Sequence, residues 1–210
     1  MRILAAILIA GFAGAPASAE EADLRDFRVG MPASELPAEG YTDFACAGAG
    51  ARVGVQGWQD YARCPADAAG LHALRFSYQE GSNELAFLND TYEGTKVGGH
   101  PVLLTLLISD ASIVEGLRIE TDPAARLNRR KKAYLLGELA KARYGEAGWT
   151  CTEAQPGAGE EPVGGMFMKE HCEKTTPTRS YILDRQMFHK VGADQRGFVS
   201  ASQLEIRRPG

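Results

Sequence analysis

The chain has little that reacts. Its 210 residues hold four cysteines and four histidines, and no Cys-x-x-Cys pair occurs. That weakens both a redox dithiol and a cysteine-based metal site. No Gly-x-Ser-x-Gly elbow, phosphate-binding loop, His-Glu-x-x-His or calcium loop is present, so none of the chemistries those patterns carry has support. Beyond the first residues the longest apolar stretch is Val102 to Ile108, with Thr105 inside it. A spanning helix needs about 20 apolar residues, so this length fits a buried central strand. Positive charge is not in excess either: the net charge is −4. Duplex nucleic acid is therefore not an expected partner for the surface as a whole.

What is present begins with an export signal. Met1-Arg2, an apolar stretch from Ile3 to Ala15 and the small residues Pro16-Ala17-Ser18-Ala19 lead into Glu20-Glu21. A positive start, a short apolar core and an Ala-x-Ala cut site predict cleavage after Ala19. No cysteine lies at that site, so no lipid attachment is expected. The mature chain would keep 191 residues (210 − 19), with 22 basic against 27 acidic groups, net −5. That is long enough for one large or two small domains. The alanine-rich signal favours the bacterial periplasm; Asn89-Asp90-Thr91 would matter as a glycosylation site only in a eukaryote.

Four cysteines in an exported chain read as two disulfides with three possible pairings. Cys46 and Cys64 enclose 17 residues; Cys151 and Cys172 enclose 20. An internal repeat favours the local pairing. Val55-Gln56-Gly57-Trp58 precedes Cys64 by the same spacing as Val163-Gly164-Gly165-Met166 precedes Cys172. Gly40-Tyr41 stands ahead of Cys46, and Gly148-Trp149 ahead of Cys151. Bridged loops of this size contribute about 3 kcal/mol each in the chain-entropy model.

Each unit reads as a helix, a cysteine-bearing strand, a glycine-rich hairpin (Gly48 and Gly50, then Gly157 and Gly159), a second cysteine-bearing strand and a third strand. The first unit spans 20–110 and opens with a strand at Phe27-Arg28-Val29 and a short helix from Pro32 to Leu36. The second spans 111–210 and carries a long basic helix over 123–144, capped by Thr121-Asp122-Pro123 and stopped by Gly145. Further strands are expected at Leu74 to Tyr78, Val102 to Asp110, Ile113 to Glu120, Ser180 to Leu183 and Phe198 to Ile206. The pattern predicts an α+β fold of two related units, with the helices on one face of antiparallel sheet.

Two stretches resemble a known superfamily. Val29-Gly30-Met31-Pro32-Ala33-Ser34-Glu35-Leu36, followed by Gly40-Tyr41, is similar to the opening motif of proteins that include the β-lactamase inhibitor protein and a small lipoprotein of the outer-membrane β-barrel assembly machine. Leu139 to Gly145, ending Arg143-Tyr144-Gly145, is similar to a helix end in the same group. Pro32 stands where that group has Thr or Ser, and the lipidation cysteine is missing. The resemblance implies a helix-plus-sheet module that binds proteins without catalysis. It transfers no binding residue.

The residues themselves offer three candidate sites. The basic run Arg126, Arg129, Arg130, Lys131 and Lys132 sits early in the expected helix, where like charges repel and the dipole does not help. An envelope protein or an anionic cell-wall or lipid surface would relieve it; a solvated helix face is the plainer alternative. Trp58 and Trp149 are aromatic anchors to probe beside it. Met166 and Met168 with His171 form a soft donor set of copper type, although His171 would point to the other side of a strand and methionine commonly fills cores. Met166 also takes the repeat position of Trp58, which predicts packing. Glu160-Glu161 is a carboxylate pair in a Pro/Gly loop, more often solvated than catalytic. Val97-Gly98-Gly99-His100-Pro101 reads as a turn before a ligand loop. The expected function is a soluble, exported, non-catalytic binding protein without cofactor, an envelope assembly accessory or inhibitor-like module. A periplasmic copper-handling protein and an enzyme of unrecognised class are the alternatives.

Overall fold

The computed structural model describes residues 22–48, 53–78, 94–193 and 197–209. The export signal, Gly50 and the Asn89-Asp90-Thr91 sequence lie outside them. Alternation of apolar and polar residues produces strands: β1 Tyr41–Cys46, β2 Leu71–Tyr78, β3 Lys96–Val97, β4 His100–Ser109, β5 Val114–Thr121, β6 Thr150–Glu153, β7 Glu160–Glu161, β8 Met168–Thr175, β9 Ser180–Lys190 and β10 Phe198–Arg207. They form one antiparallel sheet in the order β1-β2-β4-β5-β10-β9-β8-β6, with β3 added to β4 and β7 to β9. The expected boundary at 110/111 falls in the turn between β4 and β5, and these two strands pair from Val102↔Thr121 to Ile108↔Val114.

The α+β expectation is overturned. Strands make up 46% and helix 14%, so the protein is mostly antiparallel sheet with two disulfides. The helical pieces are the 3-10 turns Ala33–Glu35 and Trp58–Arg63, then α1 Leu127–Arg130 and α2 Leu135–Tyr144. They are too short to make a layer. The long helix over 123–144 does not form as one rod. Between α1 and α2 the backbone tightens to i→i+3 hydrogen bonds, from Lys132 N to Arg129 O, Ala133 N to Arg130 O and Leu135 N to Lys132 O. Crowded like charges at 129–132 disfavour a straight helix there. The Ala133 carbonyl is also taken by Ser202 Oγ of β10, at 2.9 Å.

The two cysteine units are less alike than the repeat predicts. Cys64 lies on no strand; it caps the Trp58–Arg63 turn, and β1 pairs directly with β2. Phe27 to Val29 is not a strand either, and only an isolated Leu24–Phe27 bridge forms. The disulfides join Cys46 to Cys64 and Cys151 to Cys172.

The core sits on one side of the sheet, in two register rows. Phe76, Leu104, Ile119, Leu204, Leu183 and Cys172 stand opposite one another from β2 to β8, ending on Cys151 of β6. Leu74, Leu106, Leu117, Ile206 and Tyr181 form the next row, which begins at Cys46. Leu74, Leu104, Leu106, Leu117, Leu183 and Ile206 are wholly removed from water, each worth about 1.5–3 kcal/mol. Leu136 and Ala140 of α2 and Trp58 pack on this side. Gly137 of α2 lets the helix settle onto Arg185 of β9; a Cβ there would stand 2.1 Å from Arg185 Cδ. Beneath the helix Arg185 is paired with Glu138 and with Glu170, which also takes Lys141.

The start of the described chain is clamped to its far half. Asp23 is buried and takes Arg179 Nε through both oxygens, at 2.8 and 3.1 Å. It also accepts the Val29 N–H at 2.6 Å, while Tyr144 donates to its carbonyl.

Leu104 and Thr105 are consecutive, both wholly buried, and face opposite sides of the sheet. Leu104 lies in the core, whereas Thr105 Oγ1 makes no hydrogen bond among the described residues. Leu104→Ala should lower the free energy of unfolding by about 2–5 kcal/mol. Thr105→Val should raise it by about 1 kcal/mol, because it deletes an unpaired buried hydroxyl. Urea unfolding of the oxidised protein measures both, and a register one residue off would exchange the two signs.

Candidate functional site

A groove of about 670 Å³ opens on the core side of the sheet, at the end where β9 and β10 project past the core rows. Four stretches of chain build it. From 127–134, Leu127, Lys131 and Tyr134 face it at i, i+4 and i+7, one side of a helical turn. From the sheet, Met187 and His189 of β9 and Phe198 of β10 supply the floor. From the 163–166 turn come Val163 and Met166. That turn closes by two backbone bonds between Val163 and Met166, at 2.8 and 3.0 Å. Gly164 and Gly165 both have positive φ, 57° and 82°, as a two-residue hairpin turn of this hand requires. The turn holds Met166 at the rim, 56% exposed, whereas Met187 at the floor is 3% exposed.

The groove is apolar with a basic flank. Arg126, Arg130, Lys131 and Lys132 make no ion pair among the described residues. Arg130 Nε and Ser200 Oγ are buried without a hydrogen-bond partner among the described residues, and Ser200 stands in register with Met187. Arg129 and Lys132 lie near His100, whose pKa is lowered by burial first and then by those two charges. His189 is held by Glu161, Nδ1 to Oε1 at 2.9 Å, across the β7–β9 pairing.

The other sequence candidates do not assemble as expected. Trp58 is a core residue, ringed by Phe27, Tyr41, Phe44 and Phe76, with its Nε1–H on the Pro37 carbonyl. It therefore offers no contact surface, and Met166, its partner in the repeat, is exposed instead of packed. Trp149 packs on Tyr181 beside Lys174. Met166 and Met168 do not meet His171. Met168 stands opposite Met187 on the core side, while His171 faces the other way and binds Asp184 at 2.7 Å. Glu160 and Glu161 diverge: Glu160 takes Lys169 at 2.7 Å and Glu161 takes His189. Cys151, Cys172 and Glu170 come within 4.8 Å of one another, but both sulfurs are in the disulfide and are not thiolate ligands. Sequence reasoning missed Met187, His189, Phe198, Leu127 and Tyr134. The available signal was the i, i+2 spacing of Met187 and His189 beside the Gly-Gly turn. Comparison with known protein families, with curated proteins and with solved structures finds no match in any of the three.

His72 is the one buried histidine among the described residues, and its surroundings fix its charge. Nδ1 faces the Cys64 carbonyl at 2.6 Å and Nε2 faces Asp110 at 2.9 Å. Both neighbours only accept, so both ring nitrogens must donate, which is the protonated form. Its pKa is raised above 6.5, first by the Asp110 hydrogen bond and then by the Cys64 carbonyl. The folded state thus holds a proton more tightly than the unfolded one. The stabilisation is complete below the unfolded value and is lost as pH rises through the raised folded value. The stability difference between the native chain and His72→Asn should therefore shrink as pH rises from below 6.5 through the raised folded value. Urea midpoints across that range measure it, and a flat difference contradicts the assignment.

Proposed function

We propose that this is an exported, non-catalytic binding protein whose groove takes an anionic amphiphile: an acyl-type chain on the Met187–Phe198 floor beneath Met166 at the rim, with an acidic head against Lys131. The observation that carries the reading is an apolar groove with Lys131, which makes no ion pair among the described residues, on one of its walls. Methionine suits such a lining, because its flexible thioether adapts to chains of different shape. Arg126 and Lys132 extend the positive field around the mouth and would steer anions toward it. The two disulfides fit an oxidising compartment such as the periplasm. An anionic lipid surface, one of the partners expected from the basic run, is the natural source of such a ligand.

Displacement of a fluorescent sixteen-carbon fatty acid tests the groove. Saturable binding is expected, weakened about tenfold or more, the equivalent of 1.4 kcal/mol, by Met166→Asp and by Lys131→Glu. Both positions are exposed, so folding should be unaffected. Flotation with phosphatidylglycerol vesicles, against phosphatidylcholine vesicles, separates capture of bilayer lipid from capture of free acid. No saturable binding in either format, or binding indifferent to both substitutions, overturns the reading.

A further inference from the structure

The side of the sheet facing away from the core carries a row of charge. Reading across β2, β4, β5 and β10 in register, the residues are Arg75, Thr105, Arg118 and Glu205. Arg207 follows two residues along β10 on the same side. Glu205 is 5% exposed and is held between two guanidinium groups, Arg118 Nε at 2.7 Å and Arg207. Arg75 has no such partner: it forms no ion pair among the described residues, and its buried Nε donates to nothing. Thr105, fully buried between Arg75 and Arg118, leaves Oγ1 unpaired as well. A buried polar group without a partner costs about as much as its lost hydration, so two neighbouring cases in one row are unusual.

The row already shows what satisfies it. An arginine on either side of a carboxylate is the arrangement around Glu205. Thr105 likewise stands between two arginines, its register partners on β2 and β5, with a hydroxyl where Glu205 has its carboxylate. From this we infer that the outer side of the sheet holds a second binding site, for the carboxylate of a small organic acid, seated over Thr105 between Arg75 and Arg118. Its oxygens would accept from Arg75 Nε–H and the Thr105 hydroxyl. The planar guanidinium fork matches a carboxylate edge. The excess of cations is local: the row sets three guanidinium groups against one carboxylate, Glu205, which takes Arg118 and Arg207. Asp67, at the end of this side, has a pKa below the ordinary carboxylate value, held there first by the Leu71 N–H and also by the charges of Arg207 and Arg118. Thr105 is too deeply set for a folded partner surface to reach, whereas Arg75 is only part-buried and offers a way in. The site is separated from the groove by the sheet itself.

Titration with acetate, followed by the ¹⁵N–¹H resonance of Arg75 Nε, tests the assignment. A saturable shift is expected, with chloride at equal ionic strength giving none. Thr105→Val should weaken acetate binding about tenfold (1.4 kcal/mol) while remaining folded, Arg75→Gln, followed at Arg118 Nε instead, should abolish it, and Thr105→Ser should retain it. Fatty-acid binding in the groove should be unchanged in all three variants, so failure here is separable from failure of the groove. Absence of a saturable shift, an equal response to chloride, or retention of full affinity by Thr105→Val overturns the proposal. So does binding of a hexaglutamate peptide without binding of acetate, which would assign the row to acidic side chains of a partner.

Discussion

The structure depends on one constraint: five central strands must present their apolar residues in the same register and on the same side. The row from Phe76 through Leu104, Ile119, Leu204 and Leu183 to Cys172 satisfies it without a break. Position in the chain matters here. β10 is the last strand, yet it lies between β5 and β9, with both of its edges paired. Until it inserts, β4–β5 and β8–β9 are separate hairpins with exposed edges. The contact that makes one core out of two halves is therefore the most distant in sequence of the strand pairings, and such contacts form slowly. The Asp23–Arg179 pair reinforces the same closure from the other end of the chain. It is buried and therefore weak evidence for net stability, but removing either partner would strand a charge.

The disulfides take their meaning from these rows. Cys46 lies at the start of one and Cys151 at the end of the other. Each bridge fastens an outer strand, β1 or β6, whose own burial is slight. All four residues of β6 are exposed. Hydrophobic burial fixes the centre of the sheet, and covalent bonds fix its margins. That division lets the margins remain polar and open without fraying.

Much of this was legible because strands carry a short period. The run from Val102 to Ile108, the turn at Asp110-Ala111-Ser112 and the final strand follow from alternation and turn chemistry alone. The helix over 123–144 misled for an equally local reason. Ala, Leu, Lys and Arg have high helix propensity, but propensity does not register that Ser202, 69 residues away from Ala133, captures its carbonyl. The repeat misled at Trp58 and Met166, which share a spacing but not an environment: one is folded under an aromatic cluster, the other is held out on a two-glycine turn. The groove was illegible because its walls come from four separated stretches that only the sheet brings together. The basic run was visible as charge; that an apolar floor lies beside it was not.

Both candidate sites lie where local preferences are violated, and the violation is informative because the rest of the chain is consistent. Thr105 interrupts the most apolar strand, at a position where valine would pack as well and cost no hydration. Arg75 faces it across the ladder without an acid. Sequences under selection for stability alone drift away from such pairs, since apolar replacements are common and small in effect. A binding site explains both residues at once: the missing partner arrives with the ligand, and the stability lost in its absence is the free energy returned on binding. The same logic applies to the cations at 126–132, which crowd like charge where the helix that the sequence otherwise favours is interrupted. In each case the unmet electrostatic demand is of one sign. A protein whose net charge is negative nevertheless concentrates positive charge at two places, one on each side of its sheet. The chemistry that both proposals share is recognition of an acid.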